Sequence, residues 1–148
     1  MTVSTFMATR KLTYEAIVSK ISKICQKQNI ILVLNDPDVT KDNGAAFGKN
    51  EIHLGNEYSS NYIFMAIFFH EYGHIVLQRR KSYRYSRFPI FREEVLAWTL
   101  AMEYQLKHFN RHFTRSQGKF MLECLQTYSK QHYIFRKSYP KDDEEDED

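Results

Sequence analysis

"FFHEYGHIVL", residues 68–77, sets His70, Glu71 and His74 inside an otherwise apolar run. With "IFMAIFF" just before it, the stretch predicts a long, mostly buried helix from Asn61 to about Arg80. Three titratable groups on consecutive turns of such a helix are costly to bury unless they share a purpose. The five residues His70-Glu71-Tyr72-Gly73-His74 have the form H-E-x-x-H. Positions i and i+4 lie on one helix face about one turn apart, so both imidazoles can reach one metal ion. Glu71 projects beside them, where a carboxylate can take a proton from a water acidified by the metal, the chemistry of a zinc hydrolase. The competing account is two surface histidines that merely share a face, and the apolar flanks speak against it. Gly73 costs about 1 kcal/mol relative to alanine within a helix. It stands either for close packing or for a backbone that must approach the metal.

A catalytic zinc keeps three protein ligands and one open position, so a third ligand must come from elsewhere. A third histidine at the spacing H-E-x-x-H-x-x-G-x-x-H is missing, because Arg80 occupies that place. A second helix, predicted from about Phe91 to Phe109, supplies Glu93 and Glu94 instead. Glu94, Ala97 and Ala101 recur on one face, and small residues there let the two helices come close. Glu93 is grouped with the bulkier Leu96 and Leu100. Glu94 is therefore the preferred third ligand, ahead of Glu93 and then Glu103, although both neighbouring glutamates also suit a helix N-terminus for their charge alone.

Working outward, "TYEAIVSKISKICQKQN" spaces Ile17, Val18, Ile21 and Ile24 as a helix, with Thr13 as its N-cap. "IILVLN" (30–35) has strand character, and "AAFGKNEIHLG" reads as a hairpin turning at Gly48-Lys49-Asn50. Ser59 or Ser60 caps the metal helix. The second long helix shows apolar residues at Val95, Leu96, Leu100 and Leu106, and a third helix covers roughly Thr114 to Lys130. This order, helix, small three-stranded sheet, then helices, is an α+β layout.

The 148 residues suit one domain, 1–141, and 43% hydrophobic with 26% charged residues is ordinary globular composition. The last seven residues, "DDEEDED" (142–148), are all acidic and are expected to be a disordered tail that aids solubility. A sharper role is to fold back on the body and compete with acidic partners. Removing these seven from the 18 acidic residues leaves 11 against 21 Lys and Arg, a body of net charge +10. No apolar stretch approaches bilayer length, since the longest, Tyr62 to Leu77, is broken by the motif itself. The N-terminus lacks the pattern of a secretion signal, and Cys25 and Cys124 read as free thiols, so a cytoplasmic setting is expected.

"HEYGHIVL", followed twenty residues after His74 by "EVLAWTLA", resembles the ImmA/IrrE-type metallopeptidases, whose pattern is HELGH-like and then E-x-x-A-x-x-x-A. "GAAFGKNEIHLG" is similar to their hairpin, and the likeness spans roughly residues 13–110. The resemblance implies a gluzincin-type core with one Zn2+ on His70, His74 and Glu94, and with Glu71 as the base. It also implies cleavage of a protein substrate, such as a regulatory protein of a bacterium or mobile element. Two departures stand out. Trp98 sits where such families carry Asn or Asp to orient a ligand. No helix-turn-helix module accompanies the core.

Between the two helices, "QRRKSYRYSRFPIFR" mixes Arg79, Arg80, Lys81, Arg84, Arg87 and Arg92 with Tyr83, Tyr85, Phe88 and Phe91. The segment 79–92 fits an acidic protein partner, a nucleic acid, or a solvated loop with its rings tucked onto the core. Tyr83 and Tyr85 are candidate donors to a developing oxyanion. Two other functions fit the same residues: a DNA-associated SprT-like protease, and a non-catalytic metal-stabilised binding module. The presence of Glu71 favours catalysis over the latter, because a structural site needs no base. His108 and His112 also stand at i and i+4, but no carboxylate lies between them. His53 reads as a half-buried strand residue.

Overall fold

The structure is a computed structural model of the chain and describes residues 11–80 and 89–137, with side chains over 11–80 and 90–128. Its described elements are α1 (Tyr14–Lys27), β1 (Ile31–Val33), β2 (Gly44–Phe47), β3 (Glu51–Leu54), α2 (Asn61–Arg79), α3 (Pro89–Phe109) and α4 (Arg115–Lys137). The chain is α+β, with a small mixed sheet beside four helices among the described residues. The acidic tail 142–148, Tyr83 and Tyr85, and most of the basic segment lie outside the described residues.

Local chemistry sets the element ends. Thr13 Oγ1 accepts the Ala16 amide at 3.1 Å and starts α1, while Ser60, rather than Ser59, accepts the Ile63 amide at 3.1 Å and starts α2. The hairpin turns over residues 48–50 with Gly48 at φ +59, a conformation a side chain resists. β3 is the central strand, parallel to β1 (Ile31↔Glu51) and antiparallel to β2 (Gly44↔Leu54, Phe47↔Glu51). That leaves β2 at an edge, beside α2.

α2 is the hydrophobic axis of the molecule. Phe64, Met65, Ala66, Phe68, Phe69 and Ile75 are fully buried, packed with Ile17 and Ile21 of α1 and Ile52 and Leu54 of β3. Burying such side chains contributes roughly 1.5–3 kcal/mol each before the entropy of ordering them is counted. Two glycines let backbones close in on this helix. A Cβ on Gly73 would lie 2.6 Å from the Ala97 carbonyl oxygen, so the glycine serves close packing of α2 on α3. A Cβ on Gly44 would lie 2.8 Å from Ile67 Cγ2 and 3.1 Å from Glu71 Cγ, so β2 can press against the motif.

Three sequence expectations need correcting. Val95 and Leu106 are 37% and 39% exposed, while Ala97, Trp98 and Ala101 form the buried face of α3. The first strand, Ile31–Val33, is shorter than residues 30–35, because Asn35 takes a left-handed φ of +57 and breaks the extended run. The last helix runs beyond Lys130, to Lys137.

A buried amide pair fixes α4. Gln105 and Gln117, both 0% exposed, exchange hydrogen bonds at 3.0 and 2.7 Å, and Gln117 Nε2 also donates to the Tyr62 carbonyl at 2.8 Å. This ties α4 to both long helices and lays its Phe120, Cys124 and Tyr128 along the metal motif.

Candidate metal centre

Because α2 is helical through the motif, His70 and His74 project from the same face, one turn apart. Their ring centroids are 4.6 Å apart and their Nε2 atoms 3.1 Å apart. Close packing at Gly73 and Ala97 brings α3 alongside and delivers two carboxylates. Glu94 places Oε1 2.8 Å from His70 Nε2 and Oε2 2.8 Å from His74 Nε2. Glu93 takes the other side of His74, with Oε2 2.6 Å from Nδ1. Glu71 takes the other side of His70, with Oε2 3.0 Å from Nδ1.

The proton count of this cluster is informative. A carboxylate only accepts, so each contacted Nδ1 carries its hydrogen, which leaves the neutral ring's lone pair on Nε2. Two Nε2 lone pairs and both Glu94 oxygens then converge on one point with no donor among them. Either extra protons or a cation must fill that point. Nitrogen and oxygen donors with outward-fixed hydrogens are the set that suits a divalent transition metal. The ligand atoms of His70, Glu71 and His74 lie within 4.8 Å of one another, a group that can hold a metal ion.

Protons do the bridging when no metal is bound. Burial works against a charge on His70, but the carboxylates of Glu71 and Glu94 overcome it and raise its pKa to about 9. His74 is raised against the same burial, chiefly by Glu94. Burial likewise opposes ionisation of Glu94, yet hydrogen bonds from His70 and His74 lower its pKa to about 2.

Space lies on two sides of Glu71 and His74. A cleft of about 410 Å³ borders Ala46 and Gly48 on the β2 side and Gln78 and Glu93 on the helix side. A narrower cavity of about 180 Å³ reaches in between the Asp42–Gly44 segment, His70, Glu94 and the α4 residues Cys124 and Tyr128. The segment before β2 is held firmly. Asp42 accepts from the Ser59 amide at 2.7 Å and pairs with its hydroxyl, and Tyr58 donates to the Asn43 carbonyl at 2.7 Å.

Trp98 resolves one question left by the sequence. Its indole stacks on His70 at 4.2 Å and 12° between planes, and it is 1% exposed. An aromatic plate, together with Glu71, thus holds the His70 ring at the place where an Asn or Asp was expected to orient a ligand. The hydrogen-bonding orienter sits one residue earlier than Glu94, at Glu93, on the other histidine. Glu93 was weighed as a rival ligand or as a helix N-terminal charge, and its pairing with Nδ1 is not visible in spacing alone. Cys124 and Tyr128 carried a faint signal, since Phe120, Cys124 and Tyr128 share one helical face, but nothing in the sequence aims that face at α2. The burial of Cys124 raises its pKa to about 11, so its thiol stays protonated beside the cluster.

The remaining candidates lie elsewhere. His108 stacks its ring parallel to Phe69, 6.1 Å between centroids, and faces away from His70. His53 bridges Asp36 and Glu51 at the sheet. Glu103 is exposed on α3. Of the basic segment, Arg79 donates its Nε to the Lys49 carbonyl at 2.7 Å, tying the end of α2 to the hairpin turn. Among the described residues no helix is long and apolar enough to cross a membrane. No protein-family model matches the chain, and no curated protein or solved structure shows significant similarity to it.

Proposed function

We propose that the chain is a zinc-dependent metallopeptidase of the ImmA/IrrE kind, acting on a protein substrate. One observation carries this reading: two imidazole Nε2 atoms and both oxygens of Glu94 converge on a single point, with the outer nitrogens held by Glu71 and Glu93. His70, His74 and Glu94 would hold the ion. When bound, zinc supplies Lewis-acid polarisation of a carbonyl and a lowered pKa for water.

The chain's own groups then divide the work. Glu71 lies in both the open cleft and the inner cavity, and only its Oε2 is engaged, by His70. Its Oε1, without a hydrogen-bond partner among the described residues, accepts the proton of the attacking water and returns it to the leaving amine. Glu93 fixes the His74 tautomer, and Trp98 fixes the plane of His70, so both Nε2 atoms stay aimed inward. The apolar body of α2 keeps water out from behind the cluster.

Substituting Glu71→Gln tests the reading. The variant should retain one zinc per chain by elemental analysis and lose cleavage of an unfolded protein such as casein by about 10²–10⁴-fold, the usual weight of a general base. Normal cleavage by Glu71→Gln would remove the mechanism, and failure of the wild-type chain to retain any metal would remove the site.

A further inference from the structure

Behind the metal helix, a second cleft of about 220 Å³ opens between the C-terminal ends of α1 and α3. Tyr72 lies two residues from both His70 and His74 and so projects from the opposite side of α2. At the rim of the cleft, Lys20, Lys23 and Lys27 line up on one face of α1, and Lys107 and His108 close it from α3. Among the described residues no carboxylate lines it. All four lysines are exposed, and none of them forms an ion pair with a described residue.

Four like charges around one concavity repel, and solvent screening reduces that cost without cancelling it. Their fields meet at His108. Burial first, and then Lys107, Lys20 and Lys27, hold its pKa below the ordinary value, so the ring stays neutral rather than adding a fifth charge. Tyr72 is only 5% exposed, yet its hydroxyl has no hydrogen-bond partner among the described residues. A tyrosine hydroxyl that opens on the cleft, beneath four ammonium groups with no carboxylate partner among the described residues, describes half of a binding site, the half that lacks the anion.

We propose that this cleft binds a compact polyanion of the phosphate class, held by the lysine ammonium groups at the rim and the Tyr72 hydroxyl at the floor. Lysine acts as a point charge on phosphate and needs no planar fork, whereas a carboxylate-selective site would favour arginine, which is absent from the lining. The volume accommodates one or two phosphoryl groups. A nucleic-acid strand is disfavoured because the nearby rings are occupied: Tyr72 stacks on Phe68, and His108 on Phe69 and Tyr104. They offer no free platform for a base.

Inorganic pyrophosphate is the probe, titrated into the full chain by calorimetry and followed by the NMR signals of the histidine rings. The expected result is one site that shifts His108. The affinity should fall at least about tenfold in the double variant Lys23→Gln/Lys107→Gln and measurably in Tyr72→Phe. Both lysines are exposed, so the double variant should fold and keeps the test decisive even if Tyr72→Phe does not. Shifts confined to His70 and His74 would mean that pyrophosphate only ligates the metal centre, which overturns the proposal. So would tighter binding at the same lysines of a twelve-nucleotide single strand or of the peptide Asp-Asp-Glu-Glu-Asp-Glu-Asp. The site stands apart from the peptidase reading, because its signals and variants touch no proposed ligand.

Discussion

His53 on the sheet and His70 on α2 are each held between two carboxylates, yet only one of them belongs to a candidate metal centre. His53 meets Asp36 at Nδ1 and Glu51 at Nε2, at 2.6 and 2.5 Å, on opposite edges of a ring near the surface. Both contacts point outward from the ring, so one doubly protonated imidazole satisfies both. Its pKa is raised accordingly, mainly by Asp36 and then by Glu51. His70 has the same local arrangement, but its Nε2 faces a second imidazole as well as a carboxylate. The excess of acceptors at a shared point, rather than the count of carboxylates around a histidine, separates a site that calls for a cation from an ionic staple.

The largest expected effect breaks the comparison at the carboxylate. Glu94→Gln takes one charge from the convergence point and puts an amide NH2 against an Nε2 lone pair. Zinc affinity should fall by more than about 100-fold, above the range known for residues that only orient ligands. Glu51→Gln, the matching change at His53, should leave the zinc content at the wild-type value. Competition with a chromophoric chelator measures both. Equal zinc retention in Glu94→Gln would move the third ligand elsewhere.

Glu93→Gln comes next. The residue meets the outer nitrogen of His74, so the ion should still bind, about 10–100-fold more weakly, because the tautomer and ring orientation are less well held. An affinity equal to that of Glu94→Gln would make Glu93 a ligand in its own right, the alternative raised by the sequence.

Legibility followed the range of the interaction. The caps at Thr13 and Ser60, the hairpin around Gly48 and the i, i+4 histidines are fixed by residues within a few positions, and the sequence displays them. So is the small-residue face Glu94–Ala97–Ala101, whose close approach to Gly73 needs only helical periodicity. The buried side of α3 was harder, because apolar residues surround that helix. Val95 and Leu106 obey the same spacing as the true core, and only the position of α2 leaves them exposed and buries Trp98. The Gln105–Gln117 clamp and the placement of Cys124 join segments far apart in the chain, and no local pattern announces them.

A pH experiment sharpens the comparison further. The raised pKa of His70, about 9 against an unfolded value of 6.5, means that its contribution is complete below pH 6.5 and is lost as pH rises through about 9. His74 contributes in the same direction, and Glu94 holds above its unfolded value and weakens as pH falls toward about 2. Metal-free protein should therefore lose about 5 °C or more of Tm between pH 6.5 and 9, at roughly 2–4 °C per kcal/mol for a chain of this size. Zinc-loaded protein should not, because the ion takes over from the protons. Parallel melting curves for the two forms would show that protons are not what bridges the cluster.

The smallest effect belongs to His53→Gln. Glutamine keeps a donor for Asp36 or Glu51 but gives up the charge. The staple lies near the surface, where water and salt weaken ion pairs, so the loss is minor. Thermal melts should barely separate the variant from wild type at neutral pH, and its zinc content and cleavage should be unchanged. The difference that remains should shrink in 1 M salt, where the Debye length falls to about 3 Å. A variant that lost zinc would join the two regions, because the hairpin carrying His53 also carries β2, and β2 presses on Glu71 through Gly44. Loss of metal there would identify the sheet as a support of the centre rather than a neighbour with a similar histidine.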